Sequence, residues 1–251
     1  MIEIMPDFIH QKGKIEKKEK QIPSIRMEFF RHDEKGNLPE GTTDKDKVRI
    51  SKEGKINSAK KGKTKNPHPE IGLVYGSPKT RSTETAYHQF FAETDDVDSN
   101  ISMEEIRKRV SEEFKVGRKE IETPLLDFNW VGKFKDSANK SYKDGKVVDF
   151  IFNNSDDLAK ETQDLDSTSY SRAASNVAKI VKKYVKILTR WEQIIEKDED
   201  NKDAIFKNEM QRFLGYHGSE LVSFLWKINE KTEVHEAAKE SIGTLIASKG
   251  F

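Results

Sequence analysis

Three short apolar runs, each ending abruptly in a polar group, constrain this chain more than any other feature of its sequence. Residues Ile25 to Phe30 read IRMEFF and run straight into Arg31 and His32. Ile71 to Tyr75 read IGLVY and stop at Gly76-Ser77-Pro78, and Met210 to Tyr216 read MQRFLGY and stop at His217-Gly218. Apolar runs of this length, bounded by turn residues, read as buried strands.

The segments between them carry helical signals. A short helix is expected around Ser51 to Lys61, and another from Lys79 to Phe91 after the second strand. Ser102 with Glu105 forms a capping box ahead of Ile106, Val110 and Phe114, which recur on one face. Serines near 167 to 171 open a long helix in which Ala173, Val177, Ile180, Val181, Tyr184, Leu188 and Trp191 keep the helical period, with Lys182, Lys183 and Lys186 facing water. Ser219 to Ile228 and Val234 to Ala247 read as two further helices, whereas Thr123 to Lys146 has no clear period and is expected to be an ordered loop. Strands alternating with helices predict an α/β protein, a three-layer α/β/α arrangement with a mostly parallel central sheet.

Composition narrows the function classes. The 251 residues suit one domain, and with 35% charged against 34% hydrophobic residues the apolar groups must be concentrated in a few segments. The run KGKIEKKEK at Lys12 to Lys20 has no apolar face, so residues 1–20 read as a charged tail and 21–251 as a single domain. The lysines of Lys52 to Lys65 read as a solvated helix face that also draws anions toward the molecule. A net charge of +1 removes any global electrostatic case for a nucleic-acid partner. No run approaches the ~20 apolar residues of a membrane span, and the first apolar stretch, Met1 to Ile9, contains Glu3 and Asp7. No membrane partner is therefore expected, and the localisation is read as cytoplasmic. The absence of Cys excludes disulfides, thiolate zinc sites and cysteine catalysis. Without His-Glu-x-x-His, a G-x-x-x-x-G-K-[ST] loop or G-x-G-x-x-G, neither a metal nor a cofactor is expected. His88 reads as a packing residue, and His10, His68 and His235 have no ligand spacing.

In open α/β sheets ligands sit at the carboxyl ends of the strands. If the three strands are parallel neighbours, Arg31, His32, Ser77, Arg81 and His217 converge on one pocket. Two Arg and two His around a point suit a tetrahedral dianion: guanidinium forks pair with phosphate oxygens, and a neutral imidazole beside them can attack phosphorus.

The order FFRHDEKG, ISKEGKINSA, YGSPKTRSTETA and GYHGS resembles the histidine phosphatase superfamily, the phosphoglycerate-mutase-like clan, over roughly residues 25 to 247. The resemblance implies a phosphoglycerate-mutase-like fold and a phosphatase that hydrolyses phosphomonoesters through a phosphohistidine on His32. It implies Arg31 and Arg81 as clamps on the substrate phosphate and His217 as a second imidazole that binds and stabilises the transferring group. Ser77-Pro78 would shape the turn that aims Arg81, and Thr85 and Ala86 match helix packing positions. The family's acid/base carboxylate matches Asp127 within LLDFNWVG, with Glu84 in reserve. Asp33 departs from the pattern, which has Gly or Ala after the Arg-His pair. Turned inward, its carboxylate would favour protonated His32, so an outward side chain is expected. The implied substrate is a phosphorylated small molecule or a phosphoprotein. A mutase of the same clan, or an inactive member that binds phosphorylated ligands or proteins, would use the same pocket. The segment Thr123 to Asp144 lacks the mutase-like signature, which favours hydrolysis, and nothing in the sequence speaks to oligomeric state.

Overall fold

The computed structural model describes residues 24–65, 67, 72–91, 101–113, 121–197 and 209–232. The charged tail, His10, His68, Phe114, His235 and the helix expected from Val234 to Ala247 lie outside the described residues.

Three parallel strands pair in the order β1 (Ser24–Arg31), β3 (Glu209–Tyr216), β2 (Gly72–Gly76). Side chains alternate across a strand, so Phe30, Val74 and Phe213 share one face. There they meet Ala86, Tyr87 and Phe90 of α2 (Thr80–Phe90) and Ile106 and Val110 of α3 (Met103–Glu113). Phe29, Tyr75, Leu214 and Tyr216 turn to the opposite face, against Ile180 and Tyr184 of α7 (Tyr170–Lys197). Helices therefore cover both faces of the sheet. The consecutive residues Phe213 and Leu214 are 0% and 1% exposed, which only a strand packed on both sides can achieve. The polar start of β3 is accommodated rather than solvated: the guanidinium of Arg212 lies 5.1 Å from the centroid of the Tyr184 ring, and Gln211 Nε2 donates to Glu209 Oε1.

The locally signalled helices form where their caps stand. The Ser51 hydroxyl accepts the Gly54 N–H at 2.9 Å and opens α1 (Lys52–Lys63), and the Ser102 hydroxyl accepts the Glu105 N–H at 3.0 Å. The lysines of α1 are not one solvated face. Lys52, Lys60 and Lys63 are exposed, but Lys55 is buried 3.7 Å from Glu84 and Lys61 is paired with Asp33.

Thr123 to Lys146 is not a loop. A 3-10 turn at Pro124–Leu126 leads into α4 (Gly132–Lys143), and the chain continues through α5 (Val147–Asp149), a π turn (Phe150–Asn154) and α6 (Ser155–Thr162). These elements hold their own small core of Phe134, Ala138, Val147, Phe150 and Ile151. The period was hidden because α4 buries only Phe134 and Ala138, one turn apart, among polar residues. The region joins the sheet beside β2: Gly76 N donates to Ile121 O and Thr123 N donates to Gly76 O, both at 2.8 Å. Beyond β3, α8 (Ser219–Thr232) packs along α7.

Candidate active site

The strand register brings the polar groups together. Arg31 pairs with Tyr216 and Gly76 with Gly215, so all three strands end level. The ladder then extends one residue further on each side: His32 N donates to Tyr216 O at 3.0 Å and Ser77 N to Gly215 O at 3.2 Å. His32, Ser77 and His217 thus leave the sheet side by side, and the two imidazole centroids stand 5.5 Å apart.

Two glycines seat α2 on these strand ends. A Cβ at Gly76 would lie 2.0 Å from Thr83 Oγ1, and one at Gly215 would lie 1.9 Å from the Ser82 carbonyl oxygen. Only glycine permits that approach, and the first turn of α2 carries Arg81 with it. Gly218 makes the turn after His217 at φ +110°, and a Cβ there would press within 3.2 Å of Arg31 Cδ. Arg31, His32, Arg81 and His217, the four residues expected to meet, line one cleft of about 730 Å³.

His32 Nδ1 lies 3.0 Å from its neighbour's carbonyl, Asp33 O. A carbonyl only accepts, so Nδ1 carries the proton and Nε2 keeps its lone pair. Burial, followed by the cations Arg81, Lys35 and Arg31, outweighs the Asp33 hydrogen bond and brings the imidazole pKa down to about 4. The ring is therefore neutral across the physiological range. The Asp33 carboxylate turns away from the cleft, as expected, but into a second set of bonds: Ser58 Oγ donates to it at 3.1 Å and Lys61 Nζ at 2.7 Å. Thr85 does more than pack, since its hydroxyl accepts Asp33 N–H and donates to Arg81 O, tying the loop after β1 to α2.

Ser77 Oγ lies 2.7 Å from His217 Nε2, and Ser82 Oγ lies 3.1 Å from the same nitrogen. Burial first, then Lys79, Arg81, His32 and Lys35, push His217 far below the ordinary histidine range, so it too is neutral. The His217 backbone N–H donates at 3.4 Å to Oε1 of the fully buried Glu220, whose carboxyl burial pushes up to about 7. Arg81 Nη1 donates to Lys45 O at 3.3 Å, while its buried Nε has no hydrogen-bond partner among the described residues.

Asp127 stands at the edge of this cluster. Its Oδ1 is 3.1 Å from Lys79 Nζ and 3.9 Å from His217 Nε2. Glu84, the reserve candidate for the acid/base role, stands apart from this cluster. It is fully buried behind α2, accepts from Arg49 Nε and Ile50 N at 3.0 Å, and does not line the cleft. Burial raises its pKa, but the nearby His88 imidazole and the hydrogen bonds from Arg49 and Ile50 N together prevail and hold the carboxyl below its usual range. His88 is buried against Tyr87, in keeping with a packing role.

Several residues of the cleft carried no chemical role in the sequence reading. Lys79 lies inside the same Ser77-to-Arg81 turn, and Lys35 follows His32 by three residues; this proximity was the available signal. The far wall comes from the helical region: Phe128, Asn129 and Trp130, then Lys135, Asn139 and Tyr142 at successive turns of α4. Among the described residues, the cleft is lined by six cations, Arg31, Lys35, Lys45, Lys79, Arg81 and Lys135, against the carboxylates of Asp44 and Asp46, with Asp127 paired to Lys79 at its edge. Such a charge distribution attracts anions toward two neutral imidazoles.

Among the described residues no group of three or more His, Asp or Glu is arranged to hold a metal ion, and no helix is long and apolar enough to cross a membrane. Compared with protein-family models, curated proteins and solved structures, the chain matches none.

Proposed function

We propose that this chain is a phosphomonoester hydrolase of the histidine phosphatase type, with a phosphoglycerate-mutase-like fold. The observation that carries the reading is the pair of neutral imidazoles 5.5 Å apart at the ends of adjacent parallel strands, with His32 Nε2 left unprotonated among Arg31, Arg81, Lys35 and Lys79.

In this reading the substrate phosphate lies between Arg31 and Arg81, whose guanidinium groups pair with its non-bridging oxygens. His32 Nε2 attacks phosphorus, the N–P bond forms as the P–O ester bond breaks, and the leaving oxygen takes a proton from Asp127. Water then attacks the phosphohistidine, gives its proton to Asp127, and phosphate departs with His32 restored. His217, held by the Ser77 and Ser82 hydroxyls, hydrogen-bonds the transferring oxygens. Phosphoryl transfer needs little covalent help from the protein, so positioning and charge neutralisation supply most of the rate. The larger far wall, with Trp130, Lys135, Asn139 and Tyr142, supports a role in choosing the alcohol part of the substrate, a phosphorylated small molecule or phosphopeptide.

The test is release of phosphate from p-nitrophenyl phosphate, coupled to alkaline-quench labelling with a radioactive phosphomonoester. The wild type is expected to turn over and to trap an acid-labile phosphoenzyme. His32→Ala should lose about four orders of magnitude or more in turnover and all of the label, while keeping its fold. Equal labelling of the variant would place the nucleophile elsewhere. Binding of phosphate without any turnover by the wild type would identify a binding module instead.

A further inference from the structure

A general acid must hold a proton when the leaving group departs, yet in this structure the Asp127 carboxylate is held in an ion pair. Lys79 Nζ stands 3.1 Å from Asp127 Oδ1 and also donates to the Phe128 carbonyl. Its side chain is nearly buried and lines the same cleft as His32 and Arg81. Arg81 from α2 and His217 from the end of β3 also face Asp127, and Arg81 is stabilised by the carboxylate's charge. Lys79 also shares the cleft with the cations Lys35, Arg81 and Arg31, and together with the two arginines it bears on Lys35.

A phosphate dianion seated beside His32 and Arg81 would change this balance on both sides. It offers the Lys79 ammonium a stronger partner than a single carboxylate, and it puts two negative charges next to Asp127. Like charges a few ångströms apart disfavour the ionised carboxylate. Lysine suits such an exchange. Its ammonium is a compact charge on a flexible stem with three donors, so it can swing while keeping its bond to the Phe128 carbonyl.

We propose that Lys79 is the positioning residue of the proton donor: when a phosphate dianion arrives, the Lys79 ammonium turns from Asp127 to the anion, and Asp127 takes up one proton from solvent. No bond to phosphorus forms in this step; a dianion and a proton enter together. That proton is the one later given to the ester oxygen as the His32 N–P bond forms and the P–O bond breaks. The inference rests on the phosphatase reading and deepens it, because it makes the acid available only when a substrate phosphate is in place.

The experiment is calorimetric titration of the full chain with inorganic phosphate at about pH 6, in two buffers of different ionisation enthalpy, which counts the protons exchanged on binding. Subtracting the count for Asp127→Asn cancels the ionisation of phosphate itself. The wild type should take up about one proton more than Asp127→Asn. Lys79→Arg keeps the charge, but its planar fork grips Asp127 in parallel hydrogen bonds, so it should bind phosphate and take up less than half of that extra proton. A structural role for Lys79 alone would leave the proton count unmoved. Equal counts in the wild type and Asp127→Asn, with phosphate bound by both, would overturn the proposal and leave the phosphatase reading intact. A full extra proton in Lys79→Arg would remove Lys79 from it. No phosphate binding by the wild type would refute the phosphatase reading and the proposal with it.

Discussion

The two walls of the cleft are built on opposite principles. The wall at the strand ends is locked: a continued ladder aligns His32, Ser77 and His217, and glycines at 76 and 215 let α2 rest directly on the backbone. Its functional groups are half-buried, and desolvation, with the neighbouring cations, keeps both imidazoles neutral. The wall from α4 stands on a separate small core and presents Lys135, Asn139 and Tyr142 on an exposed surface. Groups that must act on every substrate belong on rigid, desolvated elements, where geometry and charge state are held constant. Groups that read the rest of a ligand can stand in water, where replacing them changes preference without disturbing the chemistry.

The sharpest test of this contrast lies at the seam. Asp127→Asn should slow alkyl phosphate hydrolysis by about 100- to 10,000-fold, since an alkoxide needs a proton in the transition state. It should slow p-nitrophenyl phosphate far less, because that leaving group departs as an anion. Parallel rate measurements on the two esters decide it, and equal slowing would reduce Asp127 to a loop carboxylate. Next comes Gly215→Ala, whose Cβ meets a backbone oxygen that cannot rotate away. It should cost about 1–3 kcal/mol in denaturant unfolding and, by shifting Arg81 and His217, roughly 100-fold in turnover on all substrates alike. A substrate-selective effect would contradict the division between the walls.

The pH profile probes the locked wall without mutation. The His32 pKa is depressed to about 4, so the imidazole stays neutral above that value and takes up a proton as pH falls through it. For p-nitrophenyl phosphate, whose leaving group needs no proton from Asp127, and with the ionisation of the substrate divided out, kcat/KM should hold flat through pH 5–6 and drop near pH 4. An acid limb at the ordinary histidine value of about 6.5 would mean that His32 is not desolvated. The smallest effect is expected from the exposed wall. Lys135→Ala should raise KM by at most about 5-fold with kcat unchanged, as an exposed charge contributes little, and the effect should fade in high salt.

Much of the fold was readable because its signals are local. The apolar runs at Ile25, Gly72 and Met210 became β1, β2 and β3, and the hydroxyls of Ser51 and Ser102 capped the helices expected to follow them. The buried stripe Ala173, Val177, Ile180 and Tyr184 repeats at helical spacing through α7. The same locality failed across 123–146. There the helix α4 buries two small patches against a core completed by Val147, Phe150 and Ile151, so its apolar face exists only once those residues have folded back on it.

By itself the sequence determined which residues end the strands, and therefore that Arg31, His32, Ser77 and His217 would share one edge if the strands ran parallel. Everything that turns this edge into a site was decided by contacts between distant parts of the chain. The direction of Asp33 depends on Ser58 and Lys61 of α1, the buried hydrogen bonds of Glu84 depend on Arg49 and Ile50, and the pairing of Asp127 depends on Lys79. The neutrality of His32 and His217 is likewise a tertiary property. Desolvation and neighbouring cations set it, and neither exists until α2 is seated on the strand ends and the far wall closes beside it.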